Sequence, residues 1–152
     1  MAYSISETCS GCTACARLCP VMAISGERGR VHTINPKRCV ECGVCARGCP
    51  KSAIRDARGA IPPRIPRKEW PKPAIRTEDC SACRMCVDIC PFDALALTLP
   101  QFKGDIRVHA ALSNPAKCVG CAQCMKICPL RLIEMQSPAL PPEAKATAEA
   151  AK

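Results

Sequence analysis

All sixteen cysteines of this chain fall into four copies of one pattern, C-x2-C-x2-C-x3-C-P. The copies are Cys9, Cys12, Cys15 and Cys19-Pro20; Cys39, Cys42, Cys45 and Cys49-Pro50; Cys80, Cys83, Cys86 and Cys90-Pro91; and Cys118, Cys121, Cys124 and Cys128-Pro129. No thiol is left over, so any fold must accommodate four equivalent short loops. The 152 residues allow one ordinary domain or two very small ones, and small domains bury too little apolar surface to be stable on that alone. With only four Phe, Trp and Tyr residues in all, cysteine chemistry has to supply what an aromatic core does not.

Three chemistries use cysteine this densely: disulfides, zinc and iron–sulfur clusters. The start, Met1-Ala2-Tyr3-Ser4-Ile5-Ser6-Glu7-Thr8, has neither the basic nor the apolar region of an export signal. No stretch approaches the roughly 18 consecutive apolar residues of a membrane span, so no membrane insertion is expected. A cytoplasmic location is expected instead, where disulfides are disfavoured. Zinc sites pair two separated C-x2-C knuckles around one tetrahedral metal, which leaves the third close cysteine and the Cys-Pro without a role. The run is instead a ligand pattern for iron–sulfur clusters. Loss of the second cysteine would point to three-iron centres, but Cys12, Cys42, Cys83 and Cys121 are all present. Four [4Fe–4S] clusters are the expected cofactors.

The formal charge of +9 would ordinarily suggest an anionic partner. That sum counts every cysteine as neutral. A 2+ core on four thiolates is a site of about −2, so four clusters contribute about −8 and bring the loaded chain near +1. The basic excess then balances the cofactors, and the aromatic platforms of a nucleic-acid binder are missing, so no nucleic-acid partner is expected.

The runs and their surroundings resemble the clostridial-type two-cluster ferredoxins. The resemblance covers both halves and is closest where Met1-Ala2-Tyr3-Ser4-Ile5 leads into Cys9-Ser10-Gly11-Cys12. It extends past the runs, through Pro20-Val21-Met22-Ala23-Ile24, Pro50-Lys51-Ser52-Ala53-Ile54 and Pro91-Phe92-Asp93-Ala94-Leu95. The fourth copy, Pro129-Leu130-Arg131-Leu132-Ile133, puts Leu where the others have Ala, which implies a looser cluster environment. The resemblance implies an α+β fold of short hairpins and short helices around paired clusters. It also implies crossed ligation, three close thiolates of one run holding one cluster and the fourth reaching to the other cluster of the pair.

The runs could pair in sequence, first with second and third with fourth, or nest, first with fourth and second with third. Internal repeats favour the sequential arrangement. Arg30-Val31-His32 and Ile34-Asn35-Pro36-Lys37-Arg38-Cys39 are echoed by Arg107-Val108-His109 and Leu112-Ser113-Asn114-Pro115-Ala116-Lys117-Cys118. Ile5-Ser6-Glu7-Thr8-Cys9-Ser10 is echoed by Arg76-Thr77-Glu78-Asp79-Cys80-Ser81. Two ferredoxin-like units are therefore expected, at 1–60 and 76–136, joined by a Pro-rich basic linker at 61–75 that cannot be helix. The tail, 137–152, is Ala-, Pro- and Lys-rich and is expected to be disordered or to order on a partner. The resemblance then implies one cluster on Cys9, Cys12, Cys15 and Cys49 and a second on Cys39, Cys42, Cys45 and Cys19. The other unit would use Cys80, Cys83, Cys86 with Cys128, and Cys118, Cys121, Cys124 with Cys90.

Among other residues, Tyr3 matches a family position beside a cluster, and Trp70 in the linker is expected either to cover a seam between the units, the favoured reading, or to anchor a partner. His32 and His109, at equivalent places, read as the exposed polar face of a hairpin strand. Two positions before the fourth cysteine of each run stand Arg17, Arg47, Asp88 and Lys126, the third run alone being acidic. The chain shows no phosphate-binding Gly loop, no flavin fingerprint and no catalytic residue cluster. It reads as a conductor of electrons with no catalytic site of its own, like the polyferredoxin subunits that accompany hydrogenases, formate dehydrogenases and tungsten-containing aldehyde oxidoreductases. The partners so implied are the catalytic subunit of a multi-subunit oxidoreductase and an electron donor or acceptor protein. The rival reading is a free, diffusible ferredoxin, against which the basic apoprotein weighs.

Overall fold

The computed structural model describes residues 2–137, so the expected tail lies outside the described residues apart from Ser137. The first half runs β1 (Ser4–Ile5), α1 (Ala14–Leu18), β2 (Ile24–Ser25), β3 (Thr33–Ile34), α2 (Val44–Gly48) and β4 (Ile54–Arg55). The second half repeats this order with β5 (Lys72–Ile75), α3 (Met85–Asp88), β6 (Ala96–Leu97), β7 (Ala110–Ala111), α4 (Gln123–Ile127) and β8 (Ile133–Gln136).

Each half is closed by its own outer strands. β1 pairs antiparallel with β4, Ser4 opposite Arg55 and Ile5 opposite Ile54. β5 pairs antiparallel with β8 from Lys72 opposite Gln136 to Ile75 opposite Ile133. The inner pairs are β2 with β3 and β6 with β7. Alternation along the strands turns Ile54 inward and Arg55 outward, and does the same for Ile133 and Glu134. Helices of four or five residues are below the length at which a helix persists by itself, so they depend on what they pack against.

Backbone conformation repeats as strictly as the cysteines do. Two, four and thirteen residues after the first cysteine of every run the chain takes a left-handed conformation, with φ between 49° and 70°. Nine of these twelve positions are not glycine: Thr13, Met22, Glu41, Ser52, Ala82, Arg84, Asp93, Ala122 and Arg131. Each costs on the order of 1 kcal/mol. Such strain persists only where something outside the local sequence imposes the loop's shape.

Three small cores hold the elements. One gathers Ile24, Ala46, Ala53 and Ile54 around buried Cys15, Cys45 and Cys49. Its counterpart gathers Leu95, Ala110 and Ile133 around Cys86 and Cys124. The third lies between the halves, where Val44, Trp70 and Val119 are packed with Leu18, Ile65 and Phe92 at their margin. Trp70 is 3 % exposed and donates from Nε1 to the carbonyl of Ile65 at 2.9 Å, so it does cover the seam. Gly120 is needed there, because it has φ of +66° and a Cβ on it would stand 2.5 Å from the carbonyl oxygen of Pro71.

The connecting segment differs from a uniformly extended spacer in two places. Residues Arg67–Glu69 make a single 3-10 turn ahead of Trp70. Residues 72–75 are β5 itself, because Pro73 falls on an edge strand whose partner β8 asks for no donor from it. The two halves also differ from each other. The link from β6 to β7 spans 98–109, against 26–32 between β2 and β3, and it exposes Leu99, Phe102 and Ile106.

Strands of two to four residues and nine strained non-glycine positions leave little to sustain the fold by itself. Stripping the metal from purified protein with a chelator should therefore abolish its far-ultraviolet circular dichroism and its protease resistance together. A metal-free chain that keeps a dispersed amide spectrum would contradict this.

Candidate metal centres

Cys9, Cys12 and Cys15 line one hollow together with Cys49, a thiol from the second run. Cys80, Cys83 and Cys86 line another with Cys128, and Cys118, Cys121 and Cys124 line a third with Cys90. For the remaining run, the thiols of Cys19 and Cys39 act on Cys42, and those of Cys42 and Cys39 act on Cys45. Each of the three hollows thus takes three thiols from one run and one from another. All sixteen cysteines are free.

The fold places these thiols by a common device. The third cysteine of every run, Cys15, Cys45, Cys86 or Cys124, lies on one of the four short helices and is buried. The fourth cysteine of every run accepts a backbone N–H from the residue four further on. Ala23 donates to Cys19 Sγ at 3.2 Å, Ala53 to Cys49 at 3.4 Å, Ala94 to Cys90 at 3.5 Å and Leu132 to Cys128 at 3.5 Å. The Leu at position 132 therefore does not loosen its site: the side chain is buried and the hydrogen bond matches the others.

Burial pushes Cys45 up to about 12, with Cys42, Cys39 and Cys15 pushing the same way and the Ala46 amide opposing. Burial likewise pushes Cys124 up to about 12 and Cys15 up to about 11. Thiols crowded like this stay protonated at neutral pH without a cation among them, and a cationic core relieves both burial and mutual repulsion. Four thiols from ligand runs around one hollow suit an inorganic core that offers one corner to each thiol.

Several side chains singled out by the sequence find definite places. Tyr3 packs on the first core with its hydroxyl against Gly43, and burial and then Cys45 raise its pKa. His32 is not on an exposed face: it is 1 % exposed, lies under Gly26, and has Nδ1 at 3.1 Å from the Arg30 carbonyl. The short 26–32 link folds back over it, whereas the longer 98–109 link leaves His109 half-buried with Nδ1 at 3.0 Å from the Arg107 carbonyl. Asp88 is exposed and faces, at 3.4 Å, Arg84, the residue just ahead of α3 and four before it in sequence. Arg47 and Lys126 reach across the seam to the other half, which nothing in the local sequence announces.

Four-thiol hollows built from ligand runs, on paired short hairpins and helices, define an iron–sulfur protein of ferredoxin type. The chain belongs to the family of 4Fe-4S dicluster domains, whose pattern matches residues 8–54 and again residues 79–133, two domains in tandem. A second 4Fe-4S dicluster pattern matches residues 38–94, which joins the second run to the third. The repeats are alike enough to match across the connecting segment, while strand pairing and shared hollows link first with second and third with fourth. No curated protein is similar enough to count as a match. Among solved structures the chain is similar to part of the formate dehydrogenase–heterodisulfide reductase–formylmethanofuran dehydrogenase complex of Methanospirillum hungatei, at 23% identity and a TM-score of 0.44. That alignment covers 89% of this chain and 51% of the other, so the chain spans about half the length of the chain it matches. Among the described residues no helix is long and apolar enough to cross a membrane.

In ferredoxin-like domains a bound cluster supplies a one-electron couple, and the protein sets its potential through charge, N–H···S bonds and burial. Here the side chains exclude water from the buried thiols and the amides of Ala23, Ala53, Ala94 and Leu132 stabilise negative charge on sulfur. Asp88 contributes little, because its charge is solvated and opposed by Arg84. Asp88→Asn should move the potentials of the second domain by about 40 mV or less, the equivalent of an exposed ion pair. A larger shift in a redox titration would mean that this carboxylate is felt despite its pairing.

Proposed function

We propose that this chain carries four [4Fe–4S] clusters and relays single electrons between a catalytic redox subunit and an electron donor or acceptor, with no catalytic site of its own. The observation that carries this reading is the three hollows each lined by four thiols, three from one run and one from its neighbour. The ligand sets are Cys9, Cys12, Cys15 and Cys49; Cys39, Cys42, Cys45 and Cys19; Cys80, Cys83, Cys86 and Cys128; and Cys118, Cys121, Cys124 and Cys90. The two units extend over 1–60 and 76–136, the second recruiting strand 72–75 from the connecting segment. Free thiols throughout favour a reducing compartment, the cytoplasm. Partnership with the catalytic subunit of an oxidoreductase fits a row of one-electron centres, which needs a site of chemistry at one end.

Anaerobically purified protein should hold about sixteen iron and as many acid-labile sulfide per chain, with broad absorbance that bleaches on reduction. Near-stoichiometric zinc with little iron would sink the reading. Mass spectrometry of whatever co-purifies anaerobically names the redox enzyme; recovery of the chain alone, active with several enzymes, would favour a diffusible carrier instead.

Crossed ligation has its own test. Cys49→Ala should damage the centre held by Cys9, Cys12 and Cys15 and leave the second unit intact, as read by iron content and electron paramagnetic resonance. Damage at the centre of the third or fourth run would mean that the runs are paired differently.

A further inference from the structure

The halves meet through the second and fourth runs. Arg47 Nη2 donates to the carbonyl of Gly120 at 2.9 Å and lies 3.4 Å from the carbonyl of Cys42. From the opposite side, Lys126 Nζ lies 3.4 Å from the carbonyl of Val40. Arg47 and Lys126 hold the same place in their runs, two residues ahead of the fourth cysteine. Each of these runs therefore sends its cation into the ligand loop of the other. Cys42 and Cys121 both pack against the Val44, Trp70 and Val119 core that fills the seam. The equivalent cysteines of the outer runs, Cys12 and Cys83, are exposed.

We propose that electrons cross between the units at this seam, so that the four centres lie in the order first, second, fourth, third run, with Arg47 as the positioning residue of the crossing. The proposal rests on the four-cluster reading above. Electron transfer between centres falls steeply with distance, so the packing of the ligand-bearing elements sets the order. Within the first unit α1, which carries Cys15, packs on α2, which carries Cys45, and within the second α3, with Cys86, packs on α4, with Cys124. Between the units Cys42 and Cys121 pack on one shared core. The two ends of the row are then the hollows of Cys12 and Cys83, and an external donor and acceptor approach there. Sequence order would instead place the crossing between the second and third runs.

Arg47 suits the crossing chemically. Its guanidinium is partly buried against Trp70, 5.9 Å from the ring centre, and its Nε is buried without a hydrogen-bond partner among the described residues. A cation so placed favours added negative charge on both sides of the seam, since one charge is felt strongly where water is excluded. Asp88, the corresponding residue of the third run, sits in solvent beside Arg84 at an outer end.

Two double variants of the full chain test the order: Cys42→Ala with Cys121→Ala, and Cys12→Ala with Cys83→Ala. Loss of a second ligand leaves a three-iron centre, which is paramagnetic when oxidised, while intact four-iron centres are then silent. Each variant thus carries two reporter spins and about two iron fewer than the wild type. Pulsed electron paramagnetic resonance should show strong dipolar coupling in the first variant and nearly isolated spins in the second. Equal or stronger coupling in the second overturns the order. Absence of any three-iron signal, with intact folding, overturns the ligand sets and the order with them. As an independent reading, Arg47→Met should lower the potentials of the two inner centres and leave the outer two in place, with Arg47→Lys restoring part of the shift. A shift confined to the outer centres, or none, removes Arg47 from the crossing.

Discussion

Everything in this structure depends on a loan of thiols. Each hollow is completed by a cysteine from a different run, so a site cannot form until two segments well separated in sequence, such as Cys90 and Cys118 or Cys15 and Cys49, have met. This one constraint explains why strands of two residues suffice, since β1 against β4 and β5 against β8 close loops that a shared core already draws together. It explains too why Thr13, Glu41, Arg84 and their equivalents tolerate a left-handed backbone, for the loop must wrap a compact body and present its thiols inward. Apolar burial finishes the work with small residues such as Ala23, Ala53, Ala94 and Ala110, which let the backbone approach closely.

The internal repeats around the cysteine runs made the two tandem units legible, and the resemblance to two-cluster ferredoxins implied their short helices and hairpins. Trp70 was legible as well: a lone Trp between two small domains has few places to be buried. What could not be read lies in contacts between distant residues. His32 and His109 occupy equivalent positions, yet only the loop lengths, 26–32 and 98–109, decide that one is covered and the other half open. The end of the connecting segment became a strand because β8 offered an edge in register, which no property of Lys72-Pro73-Ala74-Ile75 dictates. Asp88 stood out as the odd charge, and its four-residue spacing to Arg84 was the overlooked local signal.

Charge has two different uses in the chain. Exposed pairs, such as Arg30 with Glu27 and Arg84 with Asp88, are solvated and contribute little. Arg47 is unlike them, because it gives its hydrogen bonds to backbone carbonyls at the seam and leaves its positive charge uncompensated by them. The formal excess of +9 is therefore not spread evenly in effect. Where water is excluded, a single guanidinium outweighs several surface lysines.

The packed seam also carries a consequence for biogenesis. Cys42 and Cys121 lie half-covered beneath Trp70, Val44 and Val119, and Gly120 presses against Pro71, leaving no room there for even one added carbon. The seam core therefore rests on the ligand loops of the second and fourth runs, and, on the four-cluster reading, those two loops would have to take their wrapped shape before the halves could pack together.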